Sequence, residues 1–188
     1  MLIDSVQNAA VFQWGVVLGA SLVAALWDLT NRRIPNILTL PLLAAGWVQA
    51  AVFFGWAGLV DALLAGVIVG LPYVLLYAFA SGGAGDAKLM AAIGAWLGMQ
   101  NGIAAMVSIS IVAIVFALCR VVWARRFFET LNNLRMILLY LMFFFSTRGR
   151  VKYAGGMETA DDATALTMPY GPAIFTGLVG AALYCLML

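Results

Sequence analysis

The chain has 188 residues, of which 65% are hydrophobic and 10% charged, with a formal net charge of +2 and a mean hydropathy of +1.03. That composition excludes a soluble globular domain and a disordered chain, and marks an integral membrane protein. The absence of histidine excludes histidine-based catalysis and imidazole ligation of zinc or haem, and so small a charge gives no argument for a nucleic-acid partner.

A helical span needs about 20 largely apolar residues, and six stretches qualify, roughly 10–27, 37–54, 58–80, 88–100, 103–122 and 169–188. After a short polar lead, the first stretch has no preceding basic region or small-residue cleavage site, so it is expected to stay as a permanent span. It carries Gly15 and Gly19, and the third and fourth stretches carry Gly66/Gly70 and Gly94/Gly98. This spacing lets helix backbones approach closely. Pro41 and Pro72 fall within the second and third stretches, where proline kinks a helix or frees a carbonyl. The fourth stretch is short and is expected to tilt or to thin the bilayer.

Residues 124–150 are apolar only from Leu134 to Phe145 and have basic groups on both sides, which disfavours a crossing. They are expected to form an in-plane or re-entrant cytoplasmic helix, followed by a polar loop over 151–168 with Glu158, Asp161 and Asp162. That acidic group could draw in a basic peptide, although a solvated loop explains it as well. Pro169-Tyr170-Gly171-Pro172 opens the last span, a favourable place for proline. The predicted fold is all-α: a polytopic membrane helix bundle of about six transmembrane helices, one domain over residues 1–188. With the N-terminus outside, Arg32, Arg33, Lys88, Arg125, Arg126, Arg148, Arg150 and Lys152 all fall in cytoplasmic loops, the arrangement that basic residues impose on a cytoplasmic (inner) membrane protein. Cys119 and Cys185 lie in apolar runs without CxxC spacing, so neither a disulfide framework nor a metal site is expected.

Two acidic residues stand out. Asp86 sits among glycines in Gly83-Ala84-Gly85-Asp86-Ala87-Lys88, at the mouth of an apolar run, where a carboxylate is poorly solvated. An N-cap role would account for it, at about 1 kcal/mol. Asp28 closes the first span in Trp27-Asp28-Leu29-Thr30-Asn31-Arg32-Arg33-Ile34-Pro35-Asn36. A helix C-terminus disfavours an anion, and an exposed ion pair with Arg32 or Arg33 would contribute little. Function is the better account of Asp28. The two positions are 58 residues apart, which leaves two spans between them and returns the chain to the same membrane face. Two carboxylates meeting in a partly desolvated cleft hold one proton between them. This is equipment for aspartyl proteolysis: one member takes a proton from water while the other donates to the developing oxyanion. Helix polarity alone would leave the proton on Asp28 and make Asp86 the base.

The chain resembles the type IV prepilin peptidases, GxGD intramembrane aspartyl proteases. The resemblance rests on Asp28 with Pro35-Asn36, on Gly83-Ala84-Gly85-Asp86-Ala87-Lys88-Leu89 running into Gly94-Ala95-Trp96-Leu97-Gly98, and on Pro169-Tyr170-Gly171-Pro172. It implies that Asp28 and Asp86 are the catalytic pair and that the substrate is a pilin-like precursor, cut to release a short basic leader at the cytoplasmic membrane face. Larger family members carry an N-terminal region with paired CxxC motifs and N-methyltransferase activity. This chain has neither, so no methylation is expected, and the form resembles the single-domain peptidases of tight-adherence (Flp) pilus systems or archaeal preflagellin peptidases.

Around the pair, Gly83 and Gly85 would let a substrate backbone lie against the loop, or serve an ordinary turn. Lys88 either contacts substrate or the active-site loop, or anchors a helix end at the interface. Pro35 and Asn36 shape the connection, with Asn36 a natural helix cap. No cofactor and no metal is called for, and the oligomeric state is left open. A small transporter or channel subunit is the competing class; it would place its carboxylates near the bilayer midplane, whereas Asp28 and Asp86 fall at the margin.

Overall fold

The computed structural model describes residues 2–31, 33–80, 83–123 and 170–187. Among them are four helices and no strand: α1 (Leu2–Asn31), α2 (Asn36–Ala80), α3 (Ala84–Trp123) and α4 (Gly171–Met187). The chain forms two compact units, Met1–Ile114 with Pro169–Leu188, and Val115–Met168. Of the second unit only the helical end of α3, residues 115–123, is described. The in-plane helix expected over 124–150 and the loop over 151–168 lie outside the described residues.

Long apolar runs become helices here because a helix satisfies its own backbone where no water is available. Some polar side chains follow the same rule, although Thr39 Oγ1 and Trp47 Nε1 are buried without a partner among the described residues. Ser21 Oγ donates to Leu18 O at 2.9 Å and Thr30 Oγ1 to Trp27 O at 2.9 Å. α1 ends just before Ile34-Pro35, since the residue preceding proline is pushed out of the helical region. The Pro35 carbonyl then starts α2, accepting from Leu38 N at 3.1 Å and Thr39 N at 3.4 Å.

α2 and α3 each contain one glycine with a left-handed backbone, Gly55 (φ 65) and Gly98 (φ 72). Positions eight apart in a continuous helix are separated by about 12 Å. A Cβ on Gly102 would instead lie 3.3 Å from Gly94 Cα, and one on Gly58 would lie 2.7 Å from Ala50 O. Both helices therefore double back at their glycine. The stretches expected as separate spans, 37–54 with 58–80 and 88–100 with 103–122, are the paired arms of α2 and α3. α3 begins at Ala84, four residues before the sequence-based boundary. At its turn, the Asp61 carboxylate accepts the Met99 N–H at 3.1 Å, satisfying a free donor where the second arm starts. Among the described residues three helices are long and apolar enough to cross a membrane, and α4 is shorter.

Within the first unit, Trp14, Val17, Leu89, Met90, Ile93, Ile109, Ile174 and Leu178 are fully buried, and α1 lies along α4. Glycines set the close approaches. A Cβ on Gly94 would stand 2.5 Å from Ala65 O, and one on Gly70 would stand 2.9 Å from Ala91 Cβ. Gly15 and Gly19 differ: nothing lies within 4 Å of a Cβ at either position. Their spacing matches the others, but no close helix contact within the described chain uses it. Gly94→Leu is accordingly expected to destabilise by ~1–3 kcal/mol through overpacking, while Gly15→Leu leaves the unfolding temperature unchanged; thermal unfolding in detergent measures both. Large side chains such as Val52, Val67, Ile111 and Leu118 are exposed, as expected of a surface that meets hydrocarbon.

Candidate active site

Asp28 stands in the last turn of α1 and is 5% exposed. The first N–H of α4 reaches it, with Gly171 N donating to Asp28 Oδ2 at 2.8 Å. A helix N-terminus has unpaired N–H groups and a positive dipole end, so it favours an anion. The unfavourable position of Asp28 at one helix C-terminus is thus offset by another helix's N-terminus. The contact needs glycine. A Cβ at residue 171 would lie 2.8 Å from Ala25 Cα and 3.0 Å from Asp28 Cβ.

Asp86 is the third residue of α3, so it is not the N-cap; Gly83 precedes the helix and accepts the Asp86 N–H through its carbonyl at 3.2 Å. The bare face of Gly83 is turned to the Asp86 carboxylate, with Oδ2 2.7 Å from where a Cβ would stand. Glycine here leaves that carboxylate open. Gly85 does something else: a Cβ would lie 2.8 Å from Ile34 Cβ and 3.1 Å from Ile34 O. Its missing side chain seats the start of α3 against the α1–α2 connection, so the space is taken by this chain rather than left for another backbone.

The two carboxylates share one neighbourhood, because the charge of Asp28 acts on Asp86. Two tyrosines also feel Asp86. One is Tyr73, buried on α2. Tyr170 directly precedes the Gly171 that holds Asp28; burial pushes its phenol up from the usual tyrosine range and the Asp86 charge adds to this. Tyr170 therefore keeps its proton at neutral pH and can donate a hydrogen bond. Sequence reading missed Tyr73, Tyr170 and Gly171 as site residues. The proline before Tyr73 read as a backbone feature, and Pro169-Tyr170-Gly171-Pro172 as a helix start and one of the motifs of the resemblance, with no role given to Tyr170 or Gly171.

Lys88 and Asn36 meet, with Lys88 Nζ donating to Asn36 Oδ1 at 2.9 Å across an exposed link between α3 and α2. Asn36 is the first residue of α2, and Pro35 supplies the carbonyl that starts it. Such an exposed polar pair is worth little. Lys88→Met is expected to change any turnover at this site by less than about threefold, to be checked by initial rates at low substrate.

A model of the type IV leader peptidase family matches residues 15–118, more than half of the chain. No curated protein and no solved structure matches. The matched stretch contains Asp28, Asp86, Gly83, Gly85, Lys88, Pro35 and Asn36, and it stops before Tyr170 and Gly171. With its apolar helices and this match through both acidic residues, the chain belongs to the type IV leader peptidase family.

Proposed function

We propose that this membrane protein is an aspartyl endopeptidase that removes the short basic leader from pilin-like precursors at the cytoplasmic face of the membrane, with Asp28 and Asp86 as its catalytic pair. In this reading α1, the two arms of α2, the two arms of α3 and α4 make six passes, and the N-terminus lies outside. The observation that carries the reading is that the charge of Asp28, buried at the end of α1, reaches Asp86 on α3, a carboxylate far away in sequence.

In this reading Asp28 is the base, because the Gly171 N–H at the α4 N-terminus donates to it and holds its carboxylate in place. This reverses the assignment that α1 polarity alone suggests. Asp86 carries the shared proton. A water between them gives a proton to Asp28 as it attacks the scissile carbonyl, while Asp86 donates to the carbonyl oxygen. Proton return to the leaving nitrogen then releases leader and mature chain, and no metal or cofactor enters these steps. The space beside Gly83 is where the scissile carbonyl approaches Asp86. The test is incubation of the purified protein, in lipid vesicles, with a precursor bearing a basic leader ahead of an apolar helix. Mass spectrometry should find one cut between leader and helix; an intact precursor, with the protein folded, would sink the proposal.

A further inference from the structure

A second site lies at the opposite end of the first unit, where a cavity of about 520 Å³ opens between α1 and the turns of α2 and α3 at Gly55 and Gly98. Gln13, on its wall, precedes Asp28 by fifteen positions on the same helix, about 22 Å along the axis. Among the described residues the polar lining is Gln13, Gln49, Asp61, Gln100 and Asn101, with no Lys or Arg.

Hydrogen bonding fixes which atoms face the cavity. The Trp96 carbonyl can only accept, so the amide of Gln49 must turn its Nε2 toward it, at 3.3 Å. Gln49 Oε1 then faces Gln13 and accepts from Gln13 Nε2 at 3.1 Å. Gln13 is 9% exposed, and its own Oε1 has no donor among the described residues. The Trp96 indole N–H is committed to Leu42 O at 2.7 Å. Asp61 uses one oxygen for Met99 N, while a carboxylate can accept about four hydrogen bonds. Among the described residues the cavity therefore presents the Gln13 carbonyl and the Asp61 carboxylate, beside the Gln100 and Asn101 amides, with no basic side chain to match the charge. A ligand group that donates hydrogen bonds and carries positive charge complements that carbonyl and that carboxylate.

We propose that this cavity binds the primary ammonium group of an ethanolamine phospholipid. The cavity has room for such a head group, and beside it the α2 turn exposes Val52, Phe53 and Trp56 at 72%, 59% and 78%, an apolar surface for acyl chains. A choline head has the charge but no N–H to give to Gln13 or Asp61, and a phosphatidylglycerol head carries the same phosphate with no cation to set against Asp61. Selectivity for the primary amine follows from those two differences.

The inference is independent of the peptidase reading, and its test measures binding alone. Delipidated protein is mixed with equal amounts of phosphatidylethanolamine, phosphatidylcholine and phosphatidylglycerol, and bound lipid is counted by native mass spectrometry. The parent should retain phosphatidylethanolamine about tenfold over phosphatidylcholine, as one or two charge-assisted hydrogen bonds require. Asp61→Asn should reduce that ratio to below about twofold. Gln13→Met, which keeps the carboxylate and removes the free carbonyl, should lower it by about threefold, so a misfolded Asp61→Asn leaves the question decidable. Equal retention of the two lipids by the parent would overturn the proposal, as would selectivity that persists in a folded Asp61→Asn. Displacement of the lipid by free ethanolamine at equal concentration would also overturn it, since the head alone would then be the ligand.

Discussion

Asp86→Asn is expected to lower leader cleavage by about 10³-fold or more, within the range for loss of a general acid or base, and Asp28→Asn should do the same. Asparagine preserves shape, and at position 28 its carbonyl can still accept the Gly171 N–H, so membrane level and unfolding temperature should stay near the parent's. What asparagine cannot do is hold or pass the shared proton. Because the pair works as a unit, the double variant should be no slower than either single one, the non-additivity expected when one machine is broken twice. Initial rates with a precursor in vesicles measure all three. A single variant that retained more than about a tenth of the parent rate would remove its aspartate from the pair.

Gly171→Val is the second large effect, and it acts through position. A Cβ there would stand 2.8 Å from Ala25 Cα and 3.0 Å from Asp28 Cβ, both fixed parts of α1. The helices must separate, and the 2.8 Å bond from Gly171 N to Asp28 Oδ2 lengthens with them. A misplacement of about 1 Å at a catalytic group costs roughly 10²-fold in rate, and the N–H that holds the Asp28 carboxylate is lost with it. Gly180→Ala is the control on the same helix, since its Cβ would meet only Ser108 Oγ at 3.3 Å. It should cleave like the parent. If Gly171→Val also cleaved like the parent, at equal membrane level, α4 would have no part in setting Asp28.

The membrane class and the apolar stretches were legible in composition, because hydrocarbon demands long apolar runs whatever the fold. Asp28 and Asp86 were legible for a related reason: a carboxylate at the edge of an apolar segment is costly and calls for an explanation. The partners of those carboxylates were not legible. The Gly171–Asp28 bond joins positions 143 apart, and neither the apolar pattern nor the local motif specifies which helix end faces which side chain. The glycines make the same point. Gly15/Gly19 and Gly66/Gly70 have one spacing, yet only the second pair meets a neighbouring backbone closely, because spacing marks a smooth face and the fold decides what lies on it. Gly85 looked like room for a substrate until Ile34 filled it. Gly55 and Gly98 were visible as glycines, but their left-handed backbones depend on each long helix having somewhere to return to.

The most direct test of the account is the pH dependence of single-turnover leader cleavage at saturating precursor, because the central claim is two carboxylates holding one proton over one water. The account predicts a rate that falls on both sides of a maximum: on the acid side as the pair takes up a second proton and no base remains, and on the alkaline side as it gives up the shared proton and no acid remains. A rate that stayed level through the whole range in which the protein is folded would contradict it.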